Sequence, residues 1–245
     1  MRLVRRVRVP LVQTDAEVTV CTLVYREPRW IDWWKEGLAQ AKTETRYRTL
    51  VLANDPEPKV RESECWDYQF TNDDPDSEHY MVRVYRAWNH VIMNSPTQWV
   101  MMMSNDMWGY DYWLDELMEA KRKDNKTLPC SLLVENGHIP SAMPEYVKDL
   151  GRTPDTFQVP EFKEFAATLR KPGETESGRL FGPTLFDRQE FYDIGMYAEG
   201  YVDGVPADRV LYESYMKAGY KWITVKGSIV AHLQNGEMLD ETEYK

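Results

Sequence analysis

The sequence predicts an α/β protein with a mixed, mainly parallel sheet flanked by helices. Three observations carry that expectation. Its β-rich runs are continuously apolar rather than alternating, as strands buried on both faces are. In the first half those runs alternate with stretches of helical period, the β-α-β pattern of a parallel sheet. One run, Gln98 to Met107, ends abruptly in the polar cluster Ser104-Asn105-Asp106. The carboxyl ends of strands are where open α/β sheets bind ligands.

Taken in order, Glu17 to Tyr25 reads as a buried parallel strand, stopped at Pro28. Trp30 to Ala41 follows with Trp30, Trp34, Leu38 and Ala41 on one helical face. Arg48 to Ala53 is the second strand, and Asn54-Asp-Pro-Glu-Pro58 ends it with turn chemistry. Strand, helix, strand makes a right-handed βαβ unit. Glu62 to Ser77 is polar and reads as loop with a short strand at Trp66 to Phe70; His79 to Met93 is a helix. Trp99 to Met103 is the next strand, Trp113 to Arg122 a helix, and Cys130 to Val134 a strand.

From Glu135 to Gly178 periodicity fades, and one helix is expected around Phe162 to Leu169. A stretch this long without clear structure is usually functional or disordered. Leu180 to Phe186 reads as a strand and Arg188 to Tyr192 as a short helix. Arg209 to Ala218 is a helix ended by Gly219, a good C-terminal signal. Trp222 to Val225 and Ser228 to His232 read as two separate short strands, and Gly236 to Lys245 as a charged tail. No repeat, low-complexity segment or linker divides the 245 residues, so one domain is expected.

Composition narrows the function classes. With 42% hydrophobic and 13% aromatic residues, the chain has ample material for a core. Cys21, Cys65 and Cys130 follow no metal or disulfide spacing, which points to a reducing, cytoplasmic setting. No apolar run approaches the roughly 20 residues that span a bilayer, and the N-terminus lacks the continuous apolar core of a signal peptide. Residues 1–10 alternate basic and apolar side chains, either a charge-blunted edge strand or a phosphate-contacting arm. A net charge of −10 argues against a broad nucleic-acid footprint. Anionic substrates would then need a divalent cation or a focused basic pocket. Phosphate-cradling glycine motifs and a Gly-x-Ser-x-Gly elbow are both absent.

The chemistry-bearing candidates lie at strand and helix ends. Asp106 can hold Mg2+ or Mn2+ beside substrate phosphates, or simply cap the following segment. His232 ends the last apolar run, where an imidazole can serve as a second metal ligand or pack structurally. His79, His90 and His138 sit in helix or loop contexts and read as structural. Asp208, opening the helix at Arg209, is an N-cap or a general base, with Asp203 and Glu199 as rivals. Asn54 and Asp55 can hydrogen-bond a base or ribose, or form an Asx turn.

Together these stretches resemble a GT-A fold (Rossmann-like) nucleotide-sugar glycosyltransferase, close to glycosyltransferase family 2. Val18 to Tyr25 resembles the opening strand and its hydrophobic-Pro-x-Tyr ending; Leu50 to Asp55 resembles the strand whose terminal Asp or Asn contacts the base. Tyr85-Arg-Ala-Trp-Asn89 followed by Trp99 to Asp106 resembles the Ala-Arg-Asn helix leading to the Asp-x-Asp strand. In the second half Phe191 to Gly195 resembles the Phe-x-x-x-Gly-Gly-Phe segment, Asp208 stands eleven residues before Gly219 where the Glu-Asp motif has its Asp, and His232 matches a late His. The chain departs from the family at Leu23, Ser104, Met196 and Ala207, where Pro, Asp, Gly and Glu are usual.

The resemblance implies a nucleotide-sugar-binding half over residues 1–131, a more irregular acceptor half over 132–236 and a tail over 237–245. It implies a nucleoside diphosphate sugar as donor, most often a UDP-sugar, with Mn2+ or Mg2+ held by Asp106 and His232. Tyr25, Asn54, Asp55, Asn89, Ser104, Asn105 and Asp106 would contact the donor. Asp208 would deprotonate a saccharide or other hydroxyl acceptor, with inversion. Two alternatives stand beside it: a glycosyltransferase acting on hydroxymethylated bases of phage DNA, and an inactive nucleotide-sugar-binding module.

Overall fold

The structure is a computed structural model that describes residues 14–73, 79–137, 143–179, 182–199, 205–234 and 236–237. The basic N-terminal arm, His138, Asp203 and the tail beyond Glu237 fall outside the described residues.

Strand β1 (Val18–Val24), helix α1 (Arg29–Gln40) and strand β2 (Tyr47–Asn54) form the expected βαβ unit. Helix α2 (Pro58–Ser63), β3 (Tyr68–Phe70), α3 (Tyr80–Met93), β4 (Trp99–Met102) and β5 (Met107–Gly109) follow. Next come α4 (Trp113–Lys123), β6 (Thr127–Glu135), α5 (Val159–Leu169) and β7 (Thr175–Ser177). The chain closes with β8 (Thr184–Asp187), α6 (Arg188–Ile194), α7 (Ala207–Lys217) and β9 (Lys221–His232).

The sheet runs β3-β2-β1-β4-β8-β6-β9-β5, with β7 paired to β9. Strands β1, β2, β3 and β4 are mutually parallel, β8 runs against β4 and β6, and β9 is parallel to β6. Six strands therefore point one way, and their carboxyl ends share one edge. This mixed, mostly parallel sheet flanked by helices is a GT-A-like arrangement. Alternate residues feed two cores. Val18, Val20, Val51 and Met101 pack with the Trp-rich α1, α4 and α5 on one face. Cys21, Leu52, Val100 and Phe186 pack with α3, α6 and α7 on the other. Each fully buried large apolar side chain contributes about 1.5–3 kcal/mol.

Several elements differ from the sequence expectation. The two short strands at Trp222 and Ser228 are one strand, β9, whose register against β6 shifts between Ser131 and Leu132. Gly227 lies in that irregular stretch, and a Cβ there would meet the Glu116 carboxylate at 2.3 Å. Strand β6 begins before Cys130 and runs through Pro129. The missing N–H is tolerated because, among the described residues, β6 pairs with β8 only at Cys130 and Thr184. Strands β5 and β7 and helix α2 are too short to leave a periodic signal. Among the described residues no helix is long and apolar enough to cross a membrane.

Candidate functional site

The strand order reverses beside β1: β2 and β3 lie to one side and β4 to the other. Such a switch point opens a crevice at the carboxyl ends of the strands. A cavity of about 550 Å³ lies there. Tyr25 and Asn54 line it from the ends of β1 and β2, Ser104, Asn105 and Asp106 from the end of β4, and Tyr80, Arg83 and Trp88 from α3.

Backbone pairing brings Asp106 to His232. Met107 of β5 pairs with His232 of β9, and the Leu233 N–H donates to the Asp106 carbonyl at 3.0 Å. The Asp106 Oδ2 and His232 Nε2 atoms are 3.3 Å apart. Glu135 is the register partner of His232 across the parallel β6/β9 pair, and its Oε1 lies 3.2 Å from His232 Nδ1. Burial opposes charge on His232, but Asp106 and Glu135 outweigh it and push the imidazole up to about 10. Glu135 is buried, and sequence reasoning missed it.

Asp106 and His232 would hold a divalent cation once it replaces the Nε2 proton between them. Two donor atoms each about 2.1 Å from an octahedral ion stand roughly 3.0 Å apart, and the observed 3.3 Å is close to that edge. A metal-binding imidazole commonly has its second nitrogen held by a carboxylate, the place Glu135 takes. Among the described residues no group of three or more His, Cys, Asp and Glu side chains is arranged to hold a metal. The remaining ligands would come from water and substrate oxygens, the usual habit of Mg2+.

At the end of β2 a second polar group forms. Asp55 sits at a positive φ of 44° and accepts from the Asn72 backbone N–H at 2.8 Å and the Asn72 amide at 2.7 Å. The same amide donates to Asn54 Oδ1 at 3.2 Å. Arg83 Nη1 lies 3.5 Å from Asp55 Oδ2, while its buried Nε has no hydrogen-bond partner. Arg83 was not singled out from the sequence: it stands five residues before Trp88, about 140° round the helix, off the apolar face of α3.

The other named residues are not drawn to the cavity. Asn89 donates to the Tyr197 carbonyl at 2.8 Å and accepts from the Tyr197 N–H at 2.9 Å, clasping α3 to the segment after α6. Asp208 lies in the first turn of α7, whose N-cap is Pro206, so it is not the N-cap the sequence suggested. Its Oδ1 accepts from the Arg209 N–H at 2.7 Å, and burial holds its carboxyl above the usual range against that bond. Neither Asn89 nor Asp208 lines the cavity, and Asp55 and His232 stand behind Asn54 and Asp106 rather than on its wall. Glu199 pairs with Arg86 at 2.9 Å. Of the histidines, His79 caps α3 and His90 stacks against Phe70 at 4.7 Å, both structural roles.

Glu237 is the residue the sequence concealed most completely. It is half-buried at the switch point, accepting from the backbone N–H groups of Tyr25, Arg26 and Glu27 and from the Asn105 amide. Burial raises its carboxyl above the usual range, against the pull of those four donors.

No family model and no curated protein sequence matches this chain. Its fold does match solved structures. One is the crystal structure of GalNAc-T7 with UDP, GalNAc and Mn2+, at 13% identity and a TM-score of 0.59, over 88% of this chain. The present chain spans 43% of that one, less than half its length. The similarity shows the fold alone, a GT-A-like arrangement of a mixed, mostly parallel sheet between helices.

Proposed function

We propose that the protein is a glycosyltransferase that moves a sugar from a nucleoside diphosphate sugar, most simply a UDP-sugar, to an acceptor hydroxyl. One observation carries the reading: the meeting of Asp106, His232 and Glu135 at the carboxyl edge of the sheet, beside a cavity at the β1/β4 switch point. The crystallisation of a protein of the same fold with UDP, GalNAc and Mn2+ supports it.

In this reading the base lies toward Tyr25, Asn54 and Asp55, with the Asn72 clamp and Arg83 holding that end of β2 rigid. Ser104 and Asn105 face the ribose. Asp106 and His232 hold Mn2+ or Mg2+, which when bound neutralises charge developing on the departing diphosphate. Glu135 keeps the His232 ring turned so that Nε2 faces Asp106. Asn89 positions the chain after α6 through Tyr197. Asp208 is the base that takes the acceptor proton as the hydroxyl attacks from the α7 side. The outcome is inversion. Its partly desolvated carboxyl suits that task, since a base works best with a pKa drawn toward the working pH.

The test combines two measurements. UDP with Mn2+ is expected to raise the melting temperature, because a ligand that binds only the folded state stabilises it by mass action. A panel of UDP-sugars with Mn2+ is expected to show slow donor hydrolysis. UDP stabilisation without turnover of any donor would turn the reading toward an inactive nucleotide-sugar-binding module. Absence of stabilisation by UDP, GDP, CMP and dTDP alike would remove the donor assignment. A shift of duplex DNA that weakens with salt would instead favour hydroxymethylated DNA bases as acceptor.

A further inference from the structure

At the end of β1 three successive backbone N–H groups turn toward one point. Those of Tyr25 and Glu27 reach Glu237 Oε2 at 2.8 and 3.3 Å, and that of Arg26 lies between them. The Asn105 amide donates to the other carboxylate oxygen. A run of consecutive inward N–H groups is a nest, a concave receptor for anions. This one bridges β1 and β4, the two strands between which the crevice opens. Glu237 itself lines the cavity, and so does Arg83, whose buried Nε lacks a hydrogen-bond partner. Gly236 places the chain beside the Asp106 carboxylate, since a Cβ there would be 3.4 Å from Asp106 Oδ2.

We propose that the Tyr25–Glu27 nest, closed by the Asn105 amide, is an anion subsite for a phosphate group of the donor, and that Glu237 occupies it as an internal competitor. The proposal rests on the nucleotide-sugar reading and adds to it a site and an occupant. The chemistry of the exchange is balanced. A phosphate oxygen accepts the same N–H bonds as the carboxylate it replaces, and Glu237 passes into water. Burial disfavours the Glu237 charge where it stands, so its release recovers hydration that the nest only partly replaces. A site whose competent form is populated a fraction of the time has its affinity reduced by that fraction, about tenfold if the nest is closed nine-tenths of the time.

The experiment is isothermal titration of the full chain, as wild type, Glu237→Ala and Glu237→Gln, with inorganic pyrophosphate and separately with UDP, each with Mg2+. The expected result is binding of both ligands to Glu237→Ala tighter by about tenfold, with Glu237→Gln between the two. Equal or weaker binding by Glu237→Ala overturns the proposal, because the carboxylate would then be a wall of the site. If pyrophosphate tightens while UDP binds no form of the protein, the subsite stands and the nucleotide reading falls. If UDP binds the wild type and neither variant tightens it, the nucleotide reading stands and this inference falls. Should Glu237→Ala fail to fold by thermal melt, Glu237→Gln carries the test alone, and unchanged affinity overturns it.

Discussion

The carboxyl edge of β4, β6 and β9 and the first turn of α7 make an instructive pair. At the edge, each charged group is fixed by a ladder: Met107 against His232, Glu135 against His232, with side chains meeting within 3.3 Å. At α7, Asp208 is held by one bond to its own neighbour's N–H and follows residues outside the described set. The first arrangement is preorganised, as the proposed cation site would need to be. The second leaves the carboxylate partly desolvated and free of any ion pair with a fixed partner among the interactions described. On the proposed reading, the difference teaches where each half of a transfer reaction is built: the donor end in strand register, and the acceptor end in helix starts and connecting chain.

The sharpest way to break that comparison is Asp208→Asn. If α7 supplies the base, kcat for transfer falls by about 10²- to 10⁴-fold, the usual worth of a general base. UDP affinity by titration calorimetry stays unchanged, because Asp208 does not line the cavity. The pH profile checks the same point. The base acts only when ionised, so the rate falls as pH drops through its pKa. Burial raises that pKa, so the acid limb of kcat lies above the range of an ordinary aspartate. A variant with full activity, or one that loses UDP binding as well, removes Asp208 from the reaction.

Glu135 tests the other side. Glu135→Ala leaves His232 Nδ1 without its carboxylate, and outer-sphere partners of this kind are worth about 10- to 100-fold in metal affinity. Mn2+ binding followed by electron paramagnetic resonance is expected to weaken by that factor in the presence of UDP. Glu135→Gln, which keeps an oxygen toward the ring, is expected to recover part of it. Equal weakening in both variants would mean that the negative charge rather than the orientation matters, and no weakening in either would detach Glu135 from the site.

Much of this layout is legible in the chain, and the residues show why the rest is not. Asp106 and His232 each close an apolar run with a polar side chain, which marks each as a strand-end candidate while leaving a cap or a structural role open. Their partner Glu135 also ends an apolar run, but it is followed by Asn136-Gly137 and reads as the start of a turn. Its role depends on β6 lying next to β9, a neighbour far along the sequence. The insertion of antiparallel β8 between β4 and β6 is likewise a tertiary choice. Glu237 is harder still. In sequence it begins a charged tail, and nothing local distinguishes it from Glu241 or Glu243. What holds it is a set of N–H groups presented by a turn more than two hundred residues earlier.

The smallest expected effect concerns the end of β2, where the ladder hands over to side chains. Asn72 joins Asn54 and Asp55 through three hydrogen bonds, two of them to a carboxylate. The backbone N–H survives any substitution, so Asn72→Ala removes only the two amide bonds. A hydrogen bond to a charged group contributes about 1.5–3 kcal/mol, and a neutral one about 1 kcal/mol. Part of that loss is offset because Asp55 keeps the Arg83 guanidinium 3.5 Å away. If this end of the sheet holds the base, UDP affinity drops by about three- to tenfold, the equivalent of about 0.7–1.4 kcal/mol. Binding of inorganic pyrophosphate, which has no base to place, stays as it was. An equal loss for both ligands would show that Asn72 supports the cavity as a whole rather than the reading of the nucleotide.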